Sequence, residues 1–364
     1  MENPELSVII PTLNESHSIA VLLDDLGRQR GLRFELIVGD GGSTDNTINL
    51  VKAWGGRVMR APKGRGAQLN AAVTMARADW FLFLHADSRI PSETLLSDAL
   101  LYLQDEVQRN GSHQVAGHFG LQFLRRHGGH DMAYRYVEEK TRFNRVNTTN
   151  GDQGFLMSRQ YFSELGGFDD SLPFLEDQKL AEKIRSQGHW VLLPGFLQTS
   201  ARRFEVEGFH RRYILMGIIM GLHSTGAESF FKRAPAVYKE QDKTGSLKLW
   251  PFFKILWVMQ VKDMGLKGSV KAWYRVGEYV RQNSWQMFYF FDIWMRSWLG
   301  PGRYPFLRFH DQVFYPLTNN AVCSAINGCL VFVWFMLILG PYFFFVDSRQ
   351  APPGKNKASH MGEA

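Results

Sequence analysis

Asp40, Asp87 and Asp177 are the residues whose settings invite chemistry. Asp40 stands in "IVGDGGSTDNT", bracketed by Gly39, Gly41 and Gly42, so backbone there can approach a ligand closely. Asp87 ends "WFLFLHADSR", where a continuous apolar run gives way to a carboxylate. Glu176 and Asp177 stand together in "FLEDQKL", at the start of a helical pattern. A carboxylate at a strand end can hold a divalent cation through oxygen, as suits Mg²⁺ or Mn²⁺. An acid at a helix start that reaches a crevice can act as a general base. Each also has a plainer reading. Asp40 and Ser43 can cap the next helix, Asp87 can cap the helix after Pro91, and acids favour helix N-termini in any case.

Basic residues recur beside these acids. "APKGRGAQLN" puts Lys63 and Arg65 between glycines at a helix start, where anions bind well. The spacing is not that of a P-loop. Arg202 and Arg203, adjacent in "TSARRFE", suit the neutralisation of a leaving phosphate, or simply solvent.

The elements that would position these residues alternate in kind. Strand runs at 6–11, 34–40, 57–62 and 80–87 are separated by helical patterns at 18–29, 43–54 and 66–78. Such alternation predicts βαβ units, hence an α/β fold with a Rossmann-like, mostly parallel sheet and helices on both faces. Ligands bind outside the carboxyl ends of such strands. That rule directs Asp40, Asp87, Asn14 and Glu15 to one crevice. Further on, strands are expected at 113–123 and 189–195, helices at 130–143 and 176–188, and a turn entering a strand at 151–159.

The chain has 364 residues, a 45% hydrophobic fraction, net charge +7 and two cysteines, Cys323 and Cys329. It can therefore build a proper core, and a disulfide framework is excluded. No Lys/Arg run resembles a nucleic-acid arm, so no nucleic-acid partner is expected. With a strand expected from Leu6, no signal peptide is expected. The uncharged run from Ala321 to Val346 is long enough to span a bilayer, with a buried core helix as the alternative. Pro341 is expected to kink or end it. The expected organisation is a catalytic domain at 1–235, a helical, aromatic-rich and interfacial region at 236–320, a membrane helix at 321–346 and a disordered tail at 347–364.

In order, "SVIIPTLNE", "LIVGDGGSTDNT", "FLHADSR", "GDQG" and "LEDQKL" resemble the family 2 inverting glycosyltransferases, over about residues 5–225. "PKGRGAQLN", "HAD" and "TSARRFE" are similar to a bacterial subgroup. The resemblance implies a GT-A fold, a nucleotide-diphosphate sugar donor (a UDP-sugar favoured) and a divalent metal. By position, Pro11, Asn14 and Glu15 would line the nucleoside pocket, with Lys63 and Arg65 beside it. Asp40 would accept a hydrogen bond from the base. Asp87 matches the last acid of the family's DxD motif, for ribose or metal, whereas His85 replaces the first. Asp177 would be the catalytic base with Glu176 its neighbour, Asp152 and Gln153 would lie near a sugar, and Arg202 and Arg203 near the diphosphate. His210 is a further candidate ligand.

These expectations combine into metal-assisted transfer of a sugar, with inversion, to a glycan or lipid-linked acceptor of the cell envelope. The expected place is the cytoplasmic face of a bacterial inner membrane, reached through the C-terminal region. Two other classes compete: an inactive membrane-associated nucleotide-sugar-binding scaffold, and a sugar nucleotidyltransferase. The nucleotidyltransferase would favour a glycine-rich loop after the first strand, where this chain has "PTLNESHS".

Overall fold

The computed structural model describes residues 3–171, 175–226, 230–231, 233–234, 236–237 and 247–349. The chain divides into two compact units, Met1–Ala201 and Arg202–Ala364.

The first unit is built on one seven-stranded sheet, in the order β3-β2-β1-β4-β6-β5-β7. The strands are β1 (Leu6–Thr12), β2 (Phe34–Asp40), β3 (Arg57–Arg60), β4 (Trp80–Phe83), β5 (Val115–Leu124), β6 (Phe155–Ser158) and β7 (His189–Ser200). β1 pairs in parallel with β2 and β4, β2 with β3, and β5 with β7, whereas β6 runs antiparallel between β4 and β5. The sheet is thus mostly parallel, as the alternation predicts. Its helices are α1 (Ser16–Gly27), α2 (Thr47–Trp54), α3 (Arg65–Val73), α4 (Leu95–Asn110), α5 (Asp131–Lys140), α6 (Arg159–Glu164) and α7 (Glu176–Gln187).

The period-two alternation of strand side chains divides the core in two. Leu6, Val8, Ile10, Leu36, Val38, Leu82 and Leu84 pack with Leu22 and Leu26 of α1, Val51 of α2 and Leu96 and Leu103 of α4. Ile9, Ile37, Phe81 and Phe83 turn the other way, onto Leu69 and Ala72 of α3, Phe162 of α6 and Leu180 and Ile184 of α7. Strands buried on both faces read as unbroken apolar runs, which is why the first four are visible in the sequence.

β7 runs to Ser200, past the expected end at Gly195. His118 pairs with Leu192 and Gly120 with Phe196, so Leu193, Pro194 and Gly195 bulge opposite Phe119. β7 is an edge strand, where a proline at a bulge removes no ladder bond that the sheet needs.

The second unit is helical. α8 (Arg202–Glu207) and α9 (Phe209–Thr225) lead into helical segments at Trp250–Val258, Gly265–Gln282, Trp285–Trp294 and Ala321–Arg349. Leu215 and Ile218 of α9 share a core with Phe252, Phe253, Met336 and Phe343, so α9 belongs here and the chain divides before it, ahead of residue 235. Residues 238–246, near the start of the expected interfacial region, lie outside the described residues. The expected tail is corrected at its start. Asp347 is buried in the helix, accepting from Leu249 N and Trp250 N at 2.8 and 2.9 Å and pairing with Arg211. Residues 350–364 of that tail lie outside the described residues.

Pro341 does not end the last helix. A π-helical stretch, Val333–Leu339, precedes it, and an α-helical stretch, Gly340–Arg349, carries it onward. A wider turn before a proline accommodates its ring and its missing N–H.

Candidate active site

Every strand that feeds the crevice points its carboxyl end the same way. Asp40 ends β2 opposite Thr12 at the end of β1. Leu84 N donates to Ile9 O at 3.0 Å, which carries the chain from β4 along β1 into the His85–Asp87 turn.

Arg65, the first residue of α3, organises the rim. Its Nε forms an ion pair with Glu176 Oε1 at 3.0 Å, yet the side chain stays 44% exposed. Burial works against its charge, but Glu176, Asp177, Asp152 and Asp87 outweigh that cost, in this order, and hold its pKa above the ordinary value. The charges of four acids from three separate segments thus act on one guanidinium, with Glu176 in direct contact. Glu176 is 2% exposed; burial, together with the charge of Asp177, raises its pKa against the opposing pull of Arg65.

Asp177 is fixed by backbone. Its Oδ2 accepts from Gly151 N at 2.7 Å and its Oδ1 from Gln178 N at 2.8 Å, leaving about half of its lone-pair sites open. Gly151 is what permits this closeness. A Cβ there would lie 2.9 Å from His85 Nε2 and 3.1 Å from Asp177 Oδ2. His85 Nδ1 in turn bonds Asp152 Oδ1 at 3.0 Å. Burial alone would disfavour the charged ring, but the hydrogen bond and charge of Asp152 raise its pKa above the ordinary value. The cavity beside them has His85, Glu176 and Asp177 on its polar wall, with Phe83, Phe155 and Phe168 among its apolar residues.

Asp87 is exposed and has no hydrogen-bond or ion-pair partner among the described residues; the same holds for Lys63. Among the described residues no three His, Cys, Asp or Glu side chains converge on a point that could hold a cation. A single open carboxylate still fits Mg²⁺ or Mn²⁺, which commonly take most ligands from substrate phosphates and water.

The nucleoside side of the rim is more occupied than expected. Asp40 is fully buried, and its oxygens accept from Thr12 Oγ1, Ser43 Oγ, Gly42 N and Ser43 N. All of its roughly four acceptor sites are spent on the loop. Hydrogen bonds outweigh burial and hold its carboxyl below the usual range. Asn14, at φ 55°, accepts from Thr44 N through Oδ1 and donates its own N–H to Ser43 Oγ. Pro11 is buried and Glu15 half-buried behind this loop.

Gln153, expected near a sugar, is not at the crevice. It is fully buried, donates to Phe119 O and Thr141 O, meets His118 Nδ1 at 2.9 Å and accepts from Asn150 N. Its work is to fasten the Gly151–Gln153 turn to β5. Gly151 is the residue the sequence reading overlooked, although its place before an acid in "GDQG" is the signal for it. Arg202 and Arg203 are exposed at the start of α8, in the second unit, as is His210 in α9.

The glycosyl transferase family 2 model matches residues 7–166. A PGL/p-HBAD biosynthesis glycosyltransferase of Mycobacterium bovis is 36% identical over 141 residues, covering 34% of this chain and 55% of its own length. The poly(ribitol-phosphate) beta-N-acetylglucosaminyltransferase TarS of Staphylococcus aureus is 31% identical over 110 residues, covering 28% of this chain and 19% of its own length. The chain thus spans about half the length of the mycobacterial relative and less of the staphylococcal one. Among solved structures, S. aureus TarS 1–349 in complex with UDP aligns with a TM-score of 0.47 at 17% identity, over 92% of this chain and 91% of that chain. The mannosyltransferase PcManGT from Pyrobaculum calidifontis, in complex with GDP-Man and Mn²⁺, aligns with a TM-score of 0.45 at 18% identity, over 92% and 88%. Residues 7–166 of this chain are thus similar to a family 2 glycosyltransferase domain, and they supply β1 to β6 of the mostly parallel sheet.

Proposed function

We propose that the chain transfers a sugar from a nucleotide-diphosphate donor to an acceptor hydroxyl, with inversion at the anomeric carbon. The observation that carries this reading is Arg65 held among Glu176, Asp177, Asp152 and Asp87 at the carboxyl ends of the strands. Asp177 takes the proton of the acceptor hydroxyl as its oxygen bonds to the anomeric carbon and the bond to the diphosphate breaks. Its two backbone donors hold the carboxylate aimed without using its free lone pairs.

Glu176 fixes Arg65 at Nε, so the remaining guanidinium N–H groups can grip diphosphate oxygens where charge grows. Lys63 adds a second cation on the same loop. A divalent ion held by Asp87 and the donor's phosphates would supply further charge neutralisation when bound. Asp40 and Asn14 act through the loop that frames the nucleoside, with Pro11 and Glu15 behind it. Asp152 orients His85 beside the sugar. A UDP-sugar is the favoured donor, in keeping with the N-acetylglucosaminyl transfer that names the staphylococcal relative.

The acceptor is proposed to be lipid-linked or otherwise close to a membrane, on the cytoplasmic face. The last helix supports this. Val322, Ile326, Leu330, Trp334, Ile338 and Tyr342 recur every fourth residue and are each 50–68% exposed. That ridge runs about 20 residues, or about 30 Å at helical rise, which matches the hydrocarbon thickness of a bilayer.

Asp177→Asn tests the chemistry. Transfer from a panel of nucleotide sugars should fall about 10²- to 10⁴-fold, with nucleotide binding by calorimetry unchanged. Full turnover by this variant would remove the proposed base.

A further inference from the structure

We propose that the N-terminal part of the Gly265–Gln282 helix is an in-plane docking surface for anionic lipid headgroups, separate from the long apolar helix. The proposal rests on the membrane reading above and adds a lipid preference to it.

Leu266, Val270 and Tyr274 form an i, i+4, i+8 row that is 84%, 63% and 37% exposed. Lys267, Lys271 and Arg275 repeat the same spacing one residue later, and all three are exposed. Along a helix two such rows lie side by side. The face therefore carries an apolar stripe edged by cations, the pattern that lies flat in a membrane interface. With five charged residues (Lys267, Lys271, Arg275, Glu278 and Arg281), the helix is too polar to cross hydrocarbon.

Its placement relative to the apolar helix points the same way. Gly277 meets Ser324 and Gly328 so closely that a Cβ on it would lie 2.1 Å from Ser324 O, and one on Gly328 would lie 2.5 Å from Trp273 O. Such small-residue crossings are typical of helices packed in lipid. The crossing lies within about 10 Å of the start of Ala321–Arg349, at one end of the candidate span rather than its middle. At that level Arg281, 5% exposed, donates to Ser324 Oγ at 2.9 Å and to Asn319 Oδ1, so the one deeply buried cation there is satisfied within the protein. Lys267 and Lys271 are left facing outward, where an anionic leaflet attracts each of them.

The test uses the full chain carrying Cys323→Ser, Cys329→Ser and Val270→Cys, labelled at residue 270 with an environment-sensitive fluorophore. Flotation with vesicles is measured in parallel. On phosphatidylglycerol-rich vesicles the label should shift to the blue and lose access to aqueous iodide. The shift should shrink in pure phosphatidylcholine, and should be lost in Lys267→Glu/Lys271→Glu although that variant still floats. A label that stays in water while the protein floats overturns this docking surface and leaves the membrane reading standing. Equal burial on both vesicle types overturns the lipid preference. A protein that floats with neither overturns the membrane reading and the docking surface with it.

Discussion

Among the described residues of the first unit the exposed large hydrophobic side chains are Trp54, Leu101, Tyr102, Leu124, Met132 and Val146, spread over α2, α4, β5, α5 and the loop after it. Every other such side chain among the described residues lies beyond Ala201. There they line up, above all on Ala321–Arg349, where the most apolar window is only 17% buried. Buried polar groups occur in both units. Those of the first unit include Glu176 and Asp40 at the rim of an open crevice. In the second unit Arg281 is satisfied by Ser324 and Asn319, Asp292 by Phe306 N and Leu307 N, and Asp347 by Leu249 N, Trp250 N and Arg211. Both units satisfy buried polar groups internally, as Asp25 and Gln153 show in the first, but only the second also turns a row of apolar side chains outward. Water suits the first arrangement, and the proposed membrane setting would suit the second.

The strongest way to break this contrast is to charge the apolar ridge. Ile326→Lys with Leu330→Lys should weaken insertion by up to about 6 kcal/mol, the figure for two positions at the middle of a span on a translocon scale. Membrane fractionation should then find the protein in the soluble or aggregated fraction, while donor binding by the first unit persists. A double variant that stays fully in the membrane would return the helix to a soluble role.

Arg65→Ala sharpens the other side. It removes a donor aimed at growing charge, which typically costs about 10²- to 10³-fold in turnover, and it leaves Glu176 buried without its cation. Arg65→Lys should recover only part of the rate, since an ammonium lacks the guanidinium fork. Steady-state turnover of both variants checks this, and equal recovery by lysine would show that charge alone matters.

Asp25 offers a smaller effect confined to the first unit. It is 1% exposed, and its carboxylate accepts from Arg89 Nε at 2.6 Å and Ile90 N at 3.0 Å and pairs with Arg28. Burial raises its pKa, but these partners outweigh it and set it below the model-compound value of 3.8. A depressed carboxylate contributes stability that is present above its unfolded pKa and lost as pH falls through the folded one. Asp25→Asn should therefore cost about 2 kcal/mol near neutrality and flatten the loss of stability below about pH 4. Denaturant melts followed between pH 6 and pH 2 measure both.

How far the sequence reveals the molecule depends on how local each cause is. β1 to β4 are legible because burial on both faces makes each an apolar run. The true extent of β7 is not, since it depends on an edge position that only pairing with β5 creates. Asp87, Arg65, Glu176 and Asp177 can be picked out from residue type and element ends. That Gln153 faces inward, that His85 pairs with Asp152, and that Asp40 spends all its acceptors on its loop depend on side-chain directions that no spacing encodes. Pro341 misleads for the opposite reason. Its local effect is real, and a π-helical stretch beside it absorbs it.

The smallest effect is the sharpest comparison, because it uses matched residues. Leu101 on α4 and Leu330 on the last helix are 64% and 61% exposed. Leu101 has Asp98 and Asp105 one turn away on either side, so it is an isolated apolar spot in a hydrated surface. Leu330 has Ile326 and Trp334 four residues away on either side, so it continues an apolar ridge. If water bathes both, Leu→Gln changes stability by no more than about 0.5 kcal/mol at either site. If lipid covers the second, Leu330→Gln weakens vesicle association while Leu101→Gln stays silent in flotation and thermal melts alike. Equal silence at both positions would mean that the exposure of the second unit is ordinary surface, and the contrast between the units would then lie in composition and not in solvent.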